Sequence, residues 1–314
     1  MSPVSSVSAR VHTWQGAAAV TLAAGDLRTT FLPQLGMLGA SLAHRGEELL
    51  ALPGGLDGYR AGHVTGLPLL APWANRLAGR RYHAAGVDVD LEGLELHTDP
   101  GGLPIHGTVT AHPGWEVVRL GTEGGAATLT ARLDYGAWPE LAAAFPFPHE
   151  LTVEAVVDGR ALSVATTLRP TRDRAVPVAF GWHPYLRLPG VPRAGWRLVL
   201  PDREHLQLDA RGIPTGGSAA EAAEAEPVAD RTFDDLYALG GDRELALEGG
   251  GRRLAVRFDE AYPFAQVFVP PGQEFACLEP MTAPTDALRT GACPVVRPGE
   301  AFTARLRVTT GLAG

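Results

Sequence analysis

The sequence has little cysteine and no lysine. Only two cysteines, Cys277 and Cys293, occur in 314 residues, which excludes a disulfide framework. Cys277 lies in an apolar run, so we expect a reduced thiol in the core. All 27 basic residues are arginine, a bias to which we attach no functional meaning.

Long apolar runs and a secretory signal are also missing. No stretch reaches about 18 apolar residues, so the sequence predicts no membrane span. The first ten residues lack the charged and apolar regions of a signal peptide, and a cytoplasmic protein is therefore expected. The net charge of −8 argues against a nucleic-acid partner. Gly-x-Ser-x-Gly, Gly-x-x-x-x-Gly-Lys and a dinucleotide-binding glycine motif are absent, so these hydrolase and nucleotide-binding classes have no support.

Turn residues are abundant and divide the chain into short segments. With 38 glycines and 26 prolines, the composition favours many turns and little helix. Alternating segments at residues 151–157 and 161–168 flank Asp158-Gly159, which is typical of a hairpin. We predict an all-β fold, a large antiparallel β-sandwich forming a single domain over residues 1–314, with residues 1–10 as a flexible N-terminus. The Ala/Glu-rich stretch 216–229 is predicted to be an exposed loop or a short helical turn.

One carboxylate stands in an apolar setting. Residues 275–278 predict the end of a buried strand, and Glu279 follows directly, with Pro280 behind it. Burying an unpaired charge costs more than apolar contacts return, and Pro280 favours an extended conformation before it. We therefore expect Glu279 at a strand end, held rigidly and facing something polar. A surface glutamate at a strand exit is the alternative.

A histidine occupies a similar position earlier in the chain. His183 lies between Trp182 and Pro184, just after an apolar strand that ends at Gly181. Pro184 restricts the backbone of His183, and a histidine there has a pKa easily moved across neutrality. Trp182 and the nearby Tyr185 could pack against a sugar face or serve as core aromatic residues.

Further polar residues stand in loops rich in Pro and Gly. Asn75-Arg76 could bind several hydroxyl oxygens, or could close a turn and pair with a surface acid. His106, between Ile105 and Gly107, is either a site residue or a hydrogen-bonded core histidine. Asp234 and Asp235 lie in a half-apolar segment, where one could face inward and the other solvent.

These residues suit proton transfer. A glutamate and a histidine on a rigid scaffold can act as general base and acid, and amide, guanidinium and carboxylate groups beside them suit a polyhydroxylated, uncharged substrate. A metal site from His106, His183 and Glu279 is conceivable, but no close ligand spacing supports it, so no metal is predicted.

Five motifs, taken in order, resemble the aldose 1-epimerases, also called galactose mutarotases. They lie between residues 20 and 310: Pro72-Trp-Ala-Asn-Arg76 with Gly79-Arg-Arg-Tyr82, Ile105-His-Gly107, Gly181-Trp-His-Pro-Tyr185, Phe233-Asp-Asp235 and Cys277-Leu-Glu-Pro-Met-Thr-Ala-Pro284. The Trp73 and Gly181-Trp182 variants resemble the bacterial epimerase-related branch.

The resemblance implies a galactose mutarotase-like supersandwich that interconverts α and β anomers of a monosaccharide without a cofactor. Glu279 would take the proton from the anomeric hydroxyl, and His183 would protonate the ring oxygen. His106 would hold the sugar near its ring oxygen, and Arg76 and Asp234 would bind hydroxyls with support from Asn75. A monomer or a homodimer is expected.

The identity of the substrate stays open at this level. A hexose such as galactose or glucose is the first expectation. A hexose 6-phosphate is the second, with Arg80, Arg81, Arg289 and Arg297 as candidates for a basic patch. A non-catalytic sugar-binding protein on the same scaffold is the third, although retention of Glu279 and His183 argues against it. A lyase or hydrolase sandwich is less favoured, because those usually carry a helical domain.

Overall fold

Antiparallel strands make up most of the computed structural model, which describes residues 7–312. The first strands in chain order are β1 (Ser8–Trp14), β2 (Ala17–Ala24), β3 (Leu27–Leu32), β4 (Leu38–His44), β5 (Glu47–Glu48), β6 (Leu69–Leu70), β7 (Arg81–Ala84), β8 (Val87–Asp90), β9 (Glu116–Glu123), β10 (Ala126–Asp134), β11 (His149–Val157), β12 (Ala161–Pro170) and β13 (Val176–Pro177). The remaining strands are β14 (Gly181–Trp182), β15 (Tyr185–Leu186), β16 (Arg197–Leu200), β17 (Arg203–Leu208), β18 (Pro214–Glu221), β19 (Glu224–Pro227), β20 (Phe233–Leu239), β21 (Glu244–Gly249), β22 (Arg252–Phe258), β23 (Phe264–Val269), β24 (Ala276–Met281), β25 (Val295–Val296) and β26 (Phe302–Leu312).

Helices are few and short. They are α1 (Gly55–Arg60), α2 (Pro139–Ala144) and α3 (Ala287–Thr290), with 3-10 turns at Pro33–Leu35, Tyr135–Ala137 and Arg193–Gly195. Within residues 7–312 the longest helices have six residues, so none could cross a membrane.

Three sheets carry the architecture. The strands β1 to β5 form one sheet in chain order, and a nine-stranded sheet has the order β19-β16-β21-β22-β26-β12-β11-β10-β9. An eight-stranded sheet has the order β18-β17-β20-β23-β24-β14-β6, with β15 also paired to β24. Two small sheets, β13-β25 and β7-β8, complete the set. The antiparallel all-β sandwich predicted from the sequence is confirmed, including the hairpin of β11 and β12.

One large apolar cluster joins the inner faces of these sheets. The strand β11 alternates buried and half-buried residues, as expected for a strand with one face in the core. In β24, Ala276 and Leu278 belong to the main cluster, whereas Cys277 and Met281 pack on the opposite face. Glu279 shares that opposite face, because side chains alternate along a strand.

Two expectations need correction. Glu279 does not end its strand: β24 continues through Pro280, which lies opposite Ala265 beside an interruption of the pairing on the other edge. The Ala/Glu-rich stretch forms β18 and β19, because pairing with β17 and β16 outweighs its local preference for helix. The flexible N-terminus expected at residues 1–10 stays a prediction: Ser8 to Arg10 belong to β1, and residues 1–6 lie outside the described residues.

Candidate active site

A cavity of about 530 Å³ opens on the outer face of the eight-stranded sheet. Its floor comes from strands β20, β23 and β24, and its walls come from the loops around residues 63–64, 75–76 and 97–106. The structure brings six residues predicted from the sequence to this cavity: Asn75, Arg76, His106, His183, Asp234 and Glu279. Asp235 points away, with its carboxylate 3.3 Å from Nε2 of His205. The roles assigned to the six residues stay predictions.

Strand register places His183 beside Glu279. Gly181 pairs with Met281 and Tyr185 pairs with Cys277, so counting inward from either pair brings residue 183 opposite residue 279. Nε2 of His183 lies 3.3 Å from Oε1 of Glu279, and the two side chains are only 6% and 2% exposed. The sheet therefore fixes both members of this pair.

Burial opposes charge on both members of the pair. It raises the pKa of Glu279 well above its ordinary 4.5, a shift reinforced by the negative charge of Asp234 and reduced by Arg76. Burial lowers the pKa of His183 from its ordinary 6.5. When the free pair holds one proton, burial thus favours the uncharged carboxylic acid–imidazole form.

The ring of His183 is held from several sides. Tyr185 stacks on it with centroids 4.6 Å apart and an angle of 11° between the planes, and His106 meets it edge-on at 5.5 Å. The backbone N–H of His183 donates to the carbonyl oxygen of Pro68 at 3.1 Å. Trp182, in contrast, is a core residue that donates through its indole nitrogen to Oγ1 of Thr166.

Two residues of the cavity wall have left-handed backbones. Asn75 has φ of 57° and His106 has φ of 65°, values that are uncommon for residues other than glycine. They support each other, because the N–H of His106 donates to the carbonyl of Asn75 at 3.0 Å. Gly107 is required next to them, since a Cβ there would lie 2.1 Å from the carbonyl oxygen of Ala71. Such strain is typical of functional sites.

Arg76 lies among acceptors at one side of the cavity. Its Nε donates to Asp99 at 2.7 Å, and its Nη1 donates to the side-chain oxygen of Asn75 at 3.2 Å. Its Nη2 lies 3.8 Å from Asp234, whose other oxygen accepts from Nε2 of Gln266 at 2.7 Å. The guanidinium group is thereby held with its charge balanced by two carboxylates.

Sequence reasoning missed Asp99 and Gln266. Asp99 stands in an Asp-Pro-Gly-Gly sequence that indicates a turn. One of its carboxylate oxygens accepts from the backbone N–H of Leu103, and the other accepts from Nε of Arg76. Gln266 is 2% exposed within a strand of otherwise apolar residues and lies directly opposite Glu279. A lone amide in an apolar strand is a signal that could have drawn attention to it.

Unpaired polar atoms face this region. Nδ1 of His106, Nδ1 of His183 and Oε1 of Gln266 are buried, and none has a hydrogen-bond partner within residues 7–312. For a metal, the donor atoms of His183, Cys277 and Glu279 lie within 4.8 Å of one another, whereas the trio considered from the sequence used His106 in place of Cys277.

A family model matches most of the chain. The model described as aldose 1-epimerase covers residues 19–309, which include every motif quoted above. The chain belongs to the aldose 1-epimerase family. This confirms the resemblance inferred from the sequence.

Solved structures of aldose 1-epimerase-like proteins share the fold. A galactose mutarotase-like protein from Clostridium acetobutylicum aligns with a TM-score of 0.87 at 17% identity, covering 98% of this chain and 99% of that one. A galactose 1-epimerase from Lactobacillus acidophilus NCFM aligns with a TM-score of 0.77 at 14% identity, covering 98% and 100%. A putative aldose 1-epimerase from Escherichia coli K12 has a TM-score of 0.74 at 17% identity, covering 98% and 100%. No curated protein matches the sequence.

Proposed function

We propose that this protein is an aldose 1-epimerase that interconverts the α and β anomers of an uncharged hexose such as galactose or glucose. The observation that carries the proposal is the buried Glu279–His183 pair, 3.3 Å apart on the floor of an open, polar cavity. Family membership supports the reaction class, and the geometry of the pair supports the roles.

The reaction requires one proton to leave the anomeric hydroxyl and another to reach the ring oxygen. The carboxylate of Glu279 takes the hydroxyl proton while the imidazolium of His183 donates to the ring oxygen, and the bond between C1 and that oxygen breaks. Rotation about C1–C2 turns the other face of the aldehyde toward the ring oxygen. The reverse transfers then close the ring as the second anomer, and the pair returns to its starting state.

Ring opening starts from the less favoured of the two one-proton states of the pair. Before opening, the pair must be carboxylate and imidazolium; afterwards it is carboxylic acid and neutral imidazole. Burial favours the second state, as the raised pKa of Glu279 and the lowered pKa of His183 both indicate. A proton must therefore move from Glu279 to His183 before the ring opens, and the double transfer with the sugar returns the pair to its favoured state.

The cavity wall supplies hydroxyl binding. Arg76 and Asp234 offer a donor and an acceptor that are already oriented by Asp99 and Gln266. Asn75 supports this side of the site, and His106 lies where it can hold the sugar near its ring oxygen, because its ring contacts that of His183. The volume of about 530 Å³ lies within the usual range for small-molecule sites.

Charge in the cavity supports a neutral sugar over a phosphorylated one. Within residues 7–312, Arg76 is the one arginine that lines the cavity, and Asp99 and Asp234 already balance it. The arginines considered for a phosphate site have other contacts: Arg80 donates to the carbonyls of Leu91 and Leu94, and Arg81 pairs with Asp90. Arg289 pairs with Asp286, and Arg297 does not line the cavity.

Anomer exchange measured by NMR tests the proposal. We expect the purified protein to accelerate exchange of galactose or glucose, and to act less efficiently on glucose 6-phosphate at equal concentration. His183→Asn should lower kcat by about 10²- to 10⁴-fold, the usual contribution of one acid–base group. His12→Asn is the matched control, because His12 is exposed in β1 and does not line the cavity.

Three outcomes would contradict the proposal. If no sugar is turned over while sugars still bind, the protein is a sugar-binding protein. If glucose 6-phosphate is the better substrate, the argument from charge is wrong. If His183→Asn keeps full activity, the assigned mechanism is wrong.

A further inference from the structure

A thiol lies directly behind the acid–base pair. Cys277 and Glu279 are two residues apart in β24, so their side chains share one face of the sheet. Cys277 is fully buried, and its sulfur lies within 4.8 Å of the donor atoms of both His183 and Glu279. The proton-transfer reaction proposed above makes no use of this thiol.

The spacing of the three donors is close to that of a tetrahedral zinc site. Zn–S bonds of about 2.3 Å and Zn–N or Zn–O bonds of about 2.0–2.2 Å place neighbouring ligand atoms about 3.3–3.8 Å apart. Nε2 of His183 and Oε1 of Glu279 already lie 3.3 Å apart. The remaining separations, no greater than 4.8 Å, need only small side-chain movements.

The charges also match. A thiolate, a carboxylate and a neutral imidazole together carry two negative charges, which a divalent ion neutralises. Such compensation is what a buried site requires, since an uncompensated charge is costly there. Sulfur and nitrogen donors favour Zn²⁺ over Mg²⁺ or Ca²⁺, which prefer oxygen. Three protein ligands leave a fourth coordination position for water or another ligand, as in catalytic zinc sites.

We propose that His183, Cys277 and Glu279 form an inhibitory site for a thiophilic divalent ion, with Zn²⁺ as the reference ion. Binding forms bonds from the ion to sulfur, nitrogen and oxygen, and it releases two protons to solvent, one from the thiol and one from the Glu279–His183 pair. The ion occupies the lone pairs that the base and the acid need, so proton transfer to and from the sugar stops. This inhibitory consequence rests on the proposed function, whereas binding of the ion does not.

The surroundings of the site favour an ion that binds reversibly and inhibits or regulates the protein over an ion that stays permanently bound. A zinc-bound histidine normally donates its other ring nitrogen to a neighbouring acceptor, and loss of that acceptor costs about 10- to 100-fold in affinity. Nδ1 of His183 is buried and has no partner among the described residues. We therefore expect reversible binding that EDTA removes.

Cobalt spectroscopy tests binding without using activity. Co²⁺ bound to a thiolate gives a sulfur-to-metal charge-transfer band, so we expect this band at one Co²⁺ per chain and its loss when Zn²⁺ is added. Cys277→Ser should abolish the band and weaken Zn²⁺ binding, measured by calorimetry, by at least about 10-fold. Cys293→Ser is the matched control, since the sequence contains only these two cysteines and Cys293 lies outside the cavity lining; it should behave as wild type.

Activity provides the second arm. We expect Zn²⁺ to slow anomer exchange in wild type and in Cys293→Ser, with half-inhibition at the Zn²⁺ concentration that calorimetry gives for half-saturation. For Cys277→Ser, half-inhibition should need at least about 10-fold more Zn²⁺. If Cys277→Ser does not fold, as judged by its thermal transition, Cys277→Ala replaces it. Binding of Co²⁺ without a thiolate band, or equal sensitivity in the Cys277 variant, overturns the proposal. Absence of epimerase activity on every sugar would overturn the proposed function, and the cobalt spectrum would still decide the metal site.

Discussion

Glu279→Gln should remove activity and stabilise the fold at the same time. The substitution keeps the shape of the side chain but removes the carboxylate that takes the anomeric proton. We expect kcat to fall by about 10²- to 10⁴-fold. We also expect a gain in stability, because Glu279 is 2% exposed and pairs there with His183, whose own charge is opposed by burial.

The size and pH dependence of that gain follow from burial. Mutational data put the cost of burying a poorly paired polar group at about 1–3 kcal/mol. With an unfolding entropy of about 2.1 cal/mol/K per residue over 314 residues, this corresponds to a Tm about 1.5–4.5 °C higher than wild type. Above pH 4.5 the unfolded chain loses a proton that the folded chain keeps on Glu279, because burial raises the pKa in the folded state. The free energy of unfolding of wild type therefore falls by about 1.4 kcal/mol per pH unit from this group, until the pH reaches the folded-state pKa.

Thermal unfolding at several pH values, combined with NMR anomer exchange, checks this prediction. The Tm difference between Glu279→Gln and wild type should be largest at pH 7–8 and should shrink toward pH 4, where both states of wild type hold the proton. Glu204→Gln, at an exposed position near the start of β17, is the control and should change neither activity nor the pH dependence of Tm. A variant that is less stable than wild type at pH 7.5, or one that keeps full activity, would refute the reasoning.

Three further substitutions test the rest of the site. Asp99→Asn leaves Arg76 without its closest counter-charge. We expect kcat/KM to fall by about 10- to 100-fold, because a charged hydrogen bond contributes about 1.5–3 kcal/mol. Steady-state kinetics that match wild type would show that Asp99 does not orient Arg76. Gly107→Ala should lower both Tm and activity, since its Cβ would collide with backbone, and a crystal structure with an unshifted loop would contradict this. Asp234→Asn removes a charge that raises the pKa of Glu279, so the alkaline limb of the kcat/KM profile should move to lower pH, and an unmoved limb would count against the coupling.

The sequence allowed much of the fold and the site to be predicted, for reasons that can be traced to particular residues. Alternation in β11 and β12 with Asp158-Gly159 between them specifies a hairpin without further context. Glu279 and His183 stood out because each is a polar group next to an apolar strand and beside a proline. Their contact could not be derived, since it depends on a register between strands about a hundred residues apart.

The failures have equally specific causes. Pro280 suggested the end of a strand, because proline lacks an N–H, yet it fits inside β24 where pairing on one edge is interrupted. Asp99 was not singled out because its turn sequence already accounts for an aspartate there, and Asp99 does form the expected hydrogen bond of that turn. The Ala/Glu-rich stretch has no apolar alternation to reveal β18 and β19, since backbone pairing at a sheet edge and ion pairs of Glu221 and Glu224 with Arg203 hold it extended.

The ladder that aligns His183 with Glu279 has a consequence for redesign of this protein. The same two backbone pairs, Gly181–Met281 and Tyr185–Cys277, set the positions of both side chains. Inserting or deleting one residue between these pairs would therefore turn the acid or the base to the other face of the sheet. The residues that would recognise the sugar are in part carried by the loops around 75–76 and 97–106, outside this ladder. The length of the segment 181–185 is thus fixed by the ladder, and libraries that seek a new sugar preference should leave it untouched and diversify side chains in those loops.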